Sequence, residues 1–315
     1  MANPLVIDCH MHVYRTQQQA LWGKENYEIW EYGEKANVHS CESAGDTGDA
    51  LEALDTAGAT NGVVVNLFGV TRARQQAIEE LPAGLTAEEK AHEIEAIEAT
   101  MGDRLKGVNE WTCNLGEQHS ELIPFIAADP WALPEREMCD HIADQVRNHG
   151  AKGIKLHGVV QQVHMNDRRM WPIYQTCLDE GISVLAHSGP SRSGEQYAEP
   201  RAFADVLDAF PDLVVVLAHL GGGAWKQVLE LANAYPHAYF DCSEIMAWAG
   251  GTNAPSELEL AQLIREIGSH RIMMGSDFPW YDVQYSANWV MSLPILSQSE
   301  KEGIVGANAE RILRL

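Results

Sequence analysis

A chain of 315 residues, 45% hydrophobic and 21% charged, has the composition of a globular protein that buries a sizeable core. Its 45 acidic and 22 basic side chains give a formal charge of −23, which repels phosphate backbones and anionic lipid, so neither nucleic acid nor membrane is expected as a partner. No apolar run approaches the ~20 residues that span a bilayer. The N-terminus carries nothing that reads as a secretory signal, and the six cysteines form no Cys-x-x-Cys pair, so a cytoplasmic protein with reduced thiols is expected.

Taken in order, the first element is the apolar stretch 5–13, which carries His10 and His12 two residues apart. Strand side chains repeat with period two, so both imidazoles leave the same face. Seven further apolar runs of strand length follow, at 61–69, 122–130, 151–158, 181–189, 213–222, 238–244 and 271–279. Their middles are rich in Val, Ile, Leu or Phe, as Val63-Val64-Val65 and Val214-Val215-Val216 show. Such runs indicate strands covered on both faces, as in parallel sheets.

Between most of these runs lie amphipathic helical patterns, at 135–148, 168–180, 200–209, 224–234 and 256–267. The last has Ser256 placed as N-cap and Gly268 as its stop. Strand alternating with helix implies parallel strands and right-handed crossovers, and eight such units close into a (β/α)8 TIM barrel occupying 1–315 as one α/β domain. Two stretches break the rhythm. Residues 14–50 hold Trp22, Tyr27, Trp30 and Tyr32, while 70–120 reads as a loop followed by a long helix from about Thr86 to Gln118. Both follow strands, so both are expected as lid insertions at the C-terminal mouth of the barrel.

That mouth is where polar residues at strand ends build an active site. Strand one supplies His10 and His12, strand four Lys155 and His157, strand five His187, strand six His219, and strand eight Asp277. One such histidine is commonly a satisfied core residue, but histidine at the same end of four strands, with an aspartate on a fifth, points to a metal centre. Arg192, on the loop after strand five, could clamp a substrate carboxylate or simply be solvated; Trp280 could line the pocket or fill the core. Gly221-Gly222-Gly223 could receive a phosphate at a helix start or let the backbone turn tightly.

The motifs Ile7-Asp-Cys-His-Met-His12, Gly153-Ile-Lys-Leu-His157, Gly275-Ser-Asp-Phe-Pro279 and Asn308-Ala-Glu-Arg-Ile-Leu313 resemble the amidohydrolase superfamily. Within it, the chain looks most like the branch that includes aminocarboxymuconate semialdehyde decarboxylase. The resemblance implies one divalent metal ion, zinc before manganese, held by His10, His12, His187 and Asp277. It makes Asp277 a proton shuttle and His219 an acid, base or electrophile beside the metal. A metal-bound water would have its pKa lowered towards ~7. Lys155 is left open between a carbamylated bridge to a second metal and a residue that orients or binds anions, and His157 between a supporting and a substrate-facing role.

The branch holds hydrolases and non-oxidative decarboxylases on the same set of ligands. His187 is followed by Ser188-Gly189-Pro190, not directly by proline, which looks more like the hydrolases. Hydrolysis of an ester, lactone or amide of a small organic substrate is therefore expected first, and decarboxylation of a small aromatic or unsaturated acid second. Relatives are often dimers or larger, so a homo-oligomer is also compatible.

Overall fold

The computed structural model describes residues 4–32, 41–251 and 254–315, without the side chains of 27–32. Its eight strands are β1 (Ile7–Met11), β2 (Asn61–Val65), β3 (Leu122–Ala127), β4 (Gly153–Leu156), β5 (Ser183–Ala186), β6 (Val215–Leu217), β7 (Ala238–Asp241) and β8 (Ile272–Met273). Each pairs in parallel with the next in chain order. β8 returns to β1 through Cys9 N–H, which donates to the Met274 carbonyl at 3.0 Å, and through a parallel bridge between Met11 and Phe278. The molecule is thus a (β/α)8 TIM barrel.

Every apolar run contains a strand, but each strand is shorter than its run. The last residues of a run leave the ladder, and they include His157, His187, His219 and Asp277. Alternation along the strands sorts the rest. Val63, Val65, Phe125, Leu185, Val216 and Met273 form an inner cluster with Ala309, Ile312 and Leu313 of the C-terminal helix Asn308–Leu313. That helix packs where the strands begin, beside Leu5, Ile123 and Val214, and so plugs one end of the barrel. The outward faces, with Ile126, Ile154 and Leu217, pack on helices through Ile142, Tyr174 and Ile264.

The helices follow the sequence patterns with instructive exceptions. Helices Glu135–His149, Trp171–Glu180 and Glu257–Ile267 lie where expected, and the Ser256 side chain caps the last by accepting from Glu259 N–H. In the expected 224–234 segment the α-helix begins only at Val228. Before it, His219, Leu220, Gly221 and Gly222 all have positive φ, so the glycines serve a tight turn. A Cβ on Gly221 would meet Pro200 and Val228 side chains at 2.8 Å, so the turn also needs the space.

Where a loop was expected after β2 there is a helix, Val70–Glu79. Its sequence is rich in Arg and Gln, and Gly69 offers no side chain to cap it, so no start signal announces it, and its apolar stripe (Val70, Ala73, Ala77, Ile78) is thin. The long helix Ala87–Gln118 begins at Thr86, whose side chain accepts from Glu89 N–H. The first insertion folds as the helix Gln17–Tyr32, with half-exposed Trp22, and Thr47–Ala57 then serves as the crossover to β2. Residues 33–40 and the Tyr27, Trp30 and Tyr32 side chains lie outside the described residues. Among the described residues no helix is long and apolar enough to cross a membrane.

Candidate active site

With one barrel end plugged, the polar residues gather at the other. Five histidines (His10, His12, His157, His187 and His219) share a small space with Lys155, Asp277 and Glu244 from the segment after β7. His10 Nε2 and His12 Nε2 stand 3.4 and 3.3 Å from the same oxygen, Asp277 Oδ1. Asp277 has a φ of 65°, an unusual backbone for this residue type, and its N–H donates to the His10 carbonyl at 2.9 Å. The carboxylate of β8 is thereby tied to the histidines of β1.

Burial controls the ionisation of the group. It holds His10, His12 and His219 well below the ordinary imidazole range, and brings His187 down to about 3. The Lys155 ammonium adds to the effect at His10, His12 and His187. These rings are therefore neutral near pH 7 and carry a lone pair each. Burial also pushes Asp277 up to about 7, against the pull of Lys155. Neutral imidazoles beside a carboxyl that burial keeps from full ionisation form a donor set that a dication would complete.

Geometry agrees with that chemistry. The ligating atoms of His10, His12 and Asp277 lie within 4.8 Å of one another, so the three residues fit a divalent cation. His10 Nδ1 is 3.0 Å from Asp241 Oδ2, and its N–H donates there, leaving the lone pair on Nε2. That lone pair faces Lys155 Nζ at 2.7 Å. A cation held by His10 Nε2 and the Lys155 ammonium exclude one another at that atom.

The other sequence-derived residues divide. His187 shares the space but is outside the tight trio of donors. It stacks face to face on His157 at 3.9 Å and meets His219 edge-on at 5.0 Å. His157 caps the turn Gly158–Gln161: its Nδ1 accepts from Val160 N–H at 3.4 Å, and its own N–H donates to Gln161 Oε1 at 2.8 Å. It is thus a fixed platform for His187. Trp280 is buried and sets its ring edge against His12 at 5.5 Å.

Two cavities flank the cluster. One, of about 390 Å³, is lined by His187, His219 and Glu244 together with Arg192, Ile245 and Trp248. The other, of about 750 Å³, runs from His12 and Trp280 to Tyr14, Arg15, Arg104 and Trp111, and so is walled by residues of both insertions. Each is large enough for a small organic molecule. Arg15 donates to the Gly107 carbonyl at 2.5 Å and lies over the Trp111 ring, which joins the segment after β1 to the long helix.

Three residues that the sequence reading passes over also stand here: Asp241, Ser243 and Glu244. Asp241 is fully buried and accepts from His219 N–H and Ser243 N–H, both at 3.0 Å, besides holding His10. Asp241 forms a further close trio with His10 and His219, and Glu244 another with His219 and Asp277. All three sit at the C-terminal end of the seventh apolar run, so the rule that found the histidines would have found them. Attention to histidine alone hid them.

The family profile described as amidohydrolase matches residues 7–315. A search of curated proteins finds no match. Solved structures do match over nearly the whole chain. An uncharacterised TIM-barrel protein from Bordetella bronchiseptica is 20% identical with a TM-score of 0.71, over 98% of both chains. 5-Carboxyvanillate decarboxylase LigW from Sphingomonas paucimobilis is 17% identical with a TM-score of 0.62, over 99% of this chain and 100% of that one. A dihydroxybenzoic acid decarboxylase from Polaromonas sp. JS666, with bound manganese, is 15% identical with a TM-score of 0.62, over 100% of this chain and 98% of that one. At these identities the likeness concerns the fold.

Proposed function

The chain belongs to the amidohydrolase family, and on that footing we propose that it is a metal-dependent, non-oxidative decarboxylase of a small aromatic or unsaturated acid. This reverses the order in which the sequence motifs rank hydrolysis and decarboxylation. Two of the matched structures are named as decarboxylases, and the position of Asp277 carries the reading. Asp277 Oδ1 faces His10 and His12, which leaves its second oxygen to pass a proton to the reacting carbon. A general acid is what decarboxylation requires, since the carbon that loses carbon dioxide must gain a proton.

In this reading His10, His12 and Asp277 hold the cation, with His187 as the further ligand that the family resemblance implies. Zinc suits histidine and carboxylate donors, and the manganese in the Polaromonas enzyme supports that metal as the alternative. A cation held there would supply positive charge near the electron pair left on carbon when the bond to carbon dioxide breaks. Asp277 then gives its proton to that carbon and regains one from solvent. Arg192 holds an anionic group of the substrate in the smaller cavity. His219 stands beside the reacting group, and Trp280 covers the His12 side.

Hydrolysis remains the second reading, favoured by Ser188-Gly189-Pro190 after His187 and by the Lys155-Leu156-His157 segment. One experiment separates the two. Metal content is determined by elemental analysis, and the zinc- and manganese-loaded protein is screened against hydroxybenzoic and unsaturated acids, lactones, esters and amides. Carbon dioxide released in step with substrate loss is the expected result. Acid release from a lactone, ester or amide, without carbon dioxide, would establish hydrolysis instead.

A further inference from the structure

The segment after β7 settles which nitrogen of His219 carries the proton, and so what that ring can do to a substrate. The Ser243 hydroxyl donates to Asp241 Oδ1 at 2.5 Å. A hydroxyl has one hydrogen, so towards its other neighbours Ser243 Oγ can only accept. His219 Nδ1 lies 2.9 Å from that oxygen. The Ser243 carbonyl at 3.4 Å and Glu244 Oε2 at 3.5 Å face the same nitrogen, and both are acceptors too. Three acceptors around one ring nitrogen require that it bear the hydrogen. Asp241 fixes the arrangement from below, because its Oδ1 also accepts from the backbone N–H groups of His219 and Ser243, both at 3.0 Å.

We propose that Ser243 and Asp241 are positioning residues that set His219 as its Nδ1–H tautomer, so that Nε2 meets the substrate as a hydrogen-bond acceptor. A neutral His219 of this form pairs with a group that has a hydrogen to give, a substrate hydroxyl or a water, and offers nothing to a carbonyl oxygen on which charge develops. This narrows the acid, base or electrophile role that the family resemblance implies for His219 to that of an acceptor. It rests on the decarboxylase reading only for the substrate used in its kinetic test; the tautomer itself is a property of the protein. In the reaction Nε2 accepts the hydroxyl hydrogen bond, with no change in the atoms of the decarboxylation itself.

The tautomer can be read without turnover, which keeps this proposal separable from the reaction assigned to the site. Protein labelled with 15N in histidine is examined by long-range 1H–15N correlation, metal-free and zinc-loaded, with the His219 signals identified by their loss in His219→Asn. A protonated Nδ1 and an unprotonated Nε2 are expected in the wild type. A proton on Nε2 would overturn the proposal outright.

Ser243→Ala should broaden or reverse that pattern and lower kcat about tenfold for the acid found in the screen, with KM and zinc content within twofold of wild type. Ser243→Thr, which keeps the hydroxyl, should restore both. Wild-type kcat and an unchanged Nδ1–H signal in Ser243→Ala would show that the serine does not position the ring. If that variant does not fold, the wild-type spectrum still decides the tautomer, and Ser243→Thr decides whether a hydroxyl suffices.

Discussion

In the proposed reaction Asp277 is the residue on which most of the chemistry turns, since it faces His10 and His12 and is assigned as the acid. Asp277→Asn keeps the shape and removes both the charge and the transferable proton. The expected result is a loss of at least a hundredfold in kcat/KM, in the range typical of general acids, with unchanged circular dichroism. Turnover at the wild-type rate would remove Asp277 from the mechanism.

A second buried aspartate tests the electrostatics away from that centre. Asp129, just past β3, accepts from Val70 N–H and Trp131 N–H, both at 2.9 Å, and so ties the helix Val70–Glu79 to the barrel. Burial pushes its carboxyl up to about 6 from an ordinary 3.8. The folded state therefore holds this proton more tightly than the unfolded chain does. Its contribution to stability is complete below about pH 4 and is lost as the pH rises through about 6. Asp129→Asn cannot titrate, so the stability of the wild type relative to this variant should fall between pH 4.5 and 7.5. Urea denaturation at the two pH values checks the sign, and an increase would contradict it.

At the scale of the element, one end of the barrel serves stability and the other serves chemistry. The helix Asn308–Leu313 closes the first end through Ile312 and Leu313, which are almost fully buried. Ile312→Ala should lower stability by about 2–4 kcal/mol, as for other large-to-small core changes, and leave kcat within about twofold. Chemical denaturation and kinetics on the same preparation measure both. A large loss of kcat with unchanged stability would mean that the two ends are not separable in this way.

The strands were legible in the sequence for a plain physical reason. A strand buried on both faces favours apolar residues at successive positions, so Val63-Val64-Val65 of β2 and Val215-Val216-Leu217 of β6 stand out as apolar runs. The His10–His12 pair was legible because period two fixes its face. The helix Val70–Glu79 was not, since its polar composition is that of a loop and its anchor, Asp129, lies far away in the chain. Nor could the Asp241–Ser243–His219 network be derived, because it depends on a backbone turn through four successive positive φ angles.

At the scale of the whole molecule, a chain with a net charge of −23 concentrates Lys155 and neutral histidines at the centre of its barrel mouth. The surrounding acidic field favours uptake of a dication, and in the proposed reaction the arginines of the flanking cavities would supply local counter-charge for the acid. Barrel closure is what makes this possible, for it sets β1 beside β8 and so brings residues 10, 12 and 277 within reach of one another. The central claim is that these three side chains share one metal ion. Anomalous diffraction at the absorption edge of the metal found in the purified protein tests it most directly. A single peak at bonding distance, about 2.0–2.2 Å, from His10, His12 and Asp277 is predicted. A fully occupied metal lying elsewhere, with these three side chains free of it, would contradict the account.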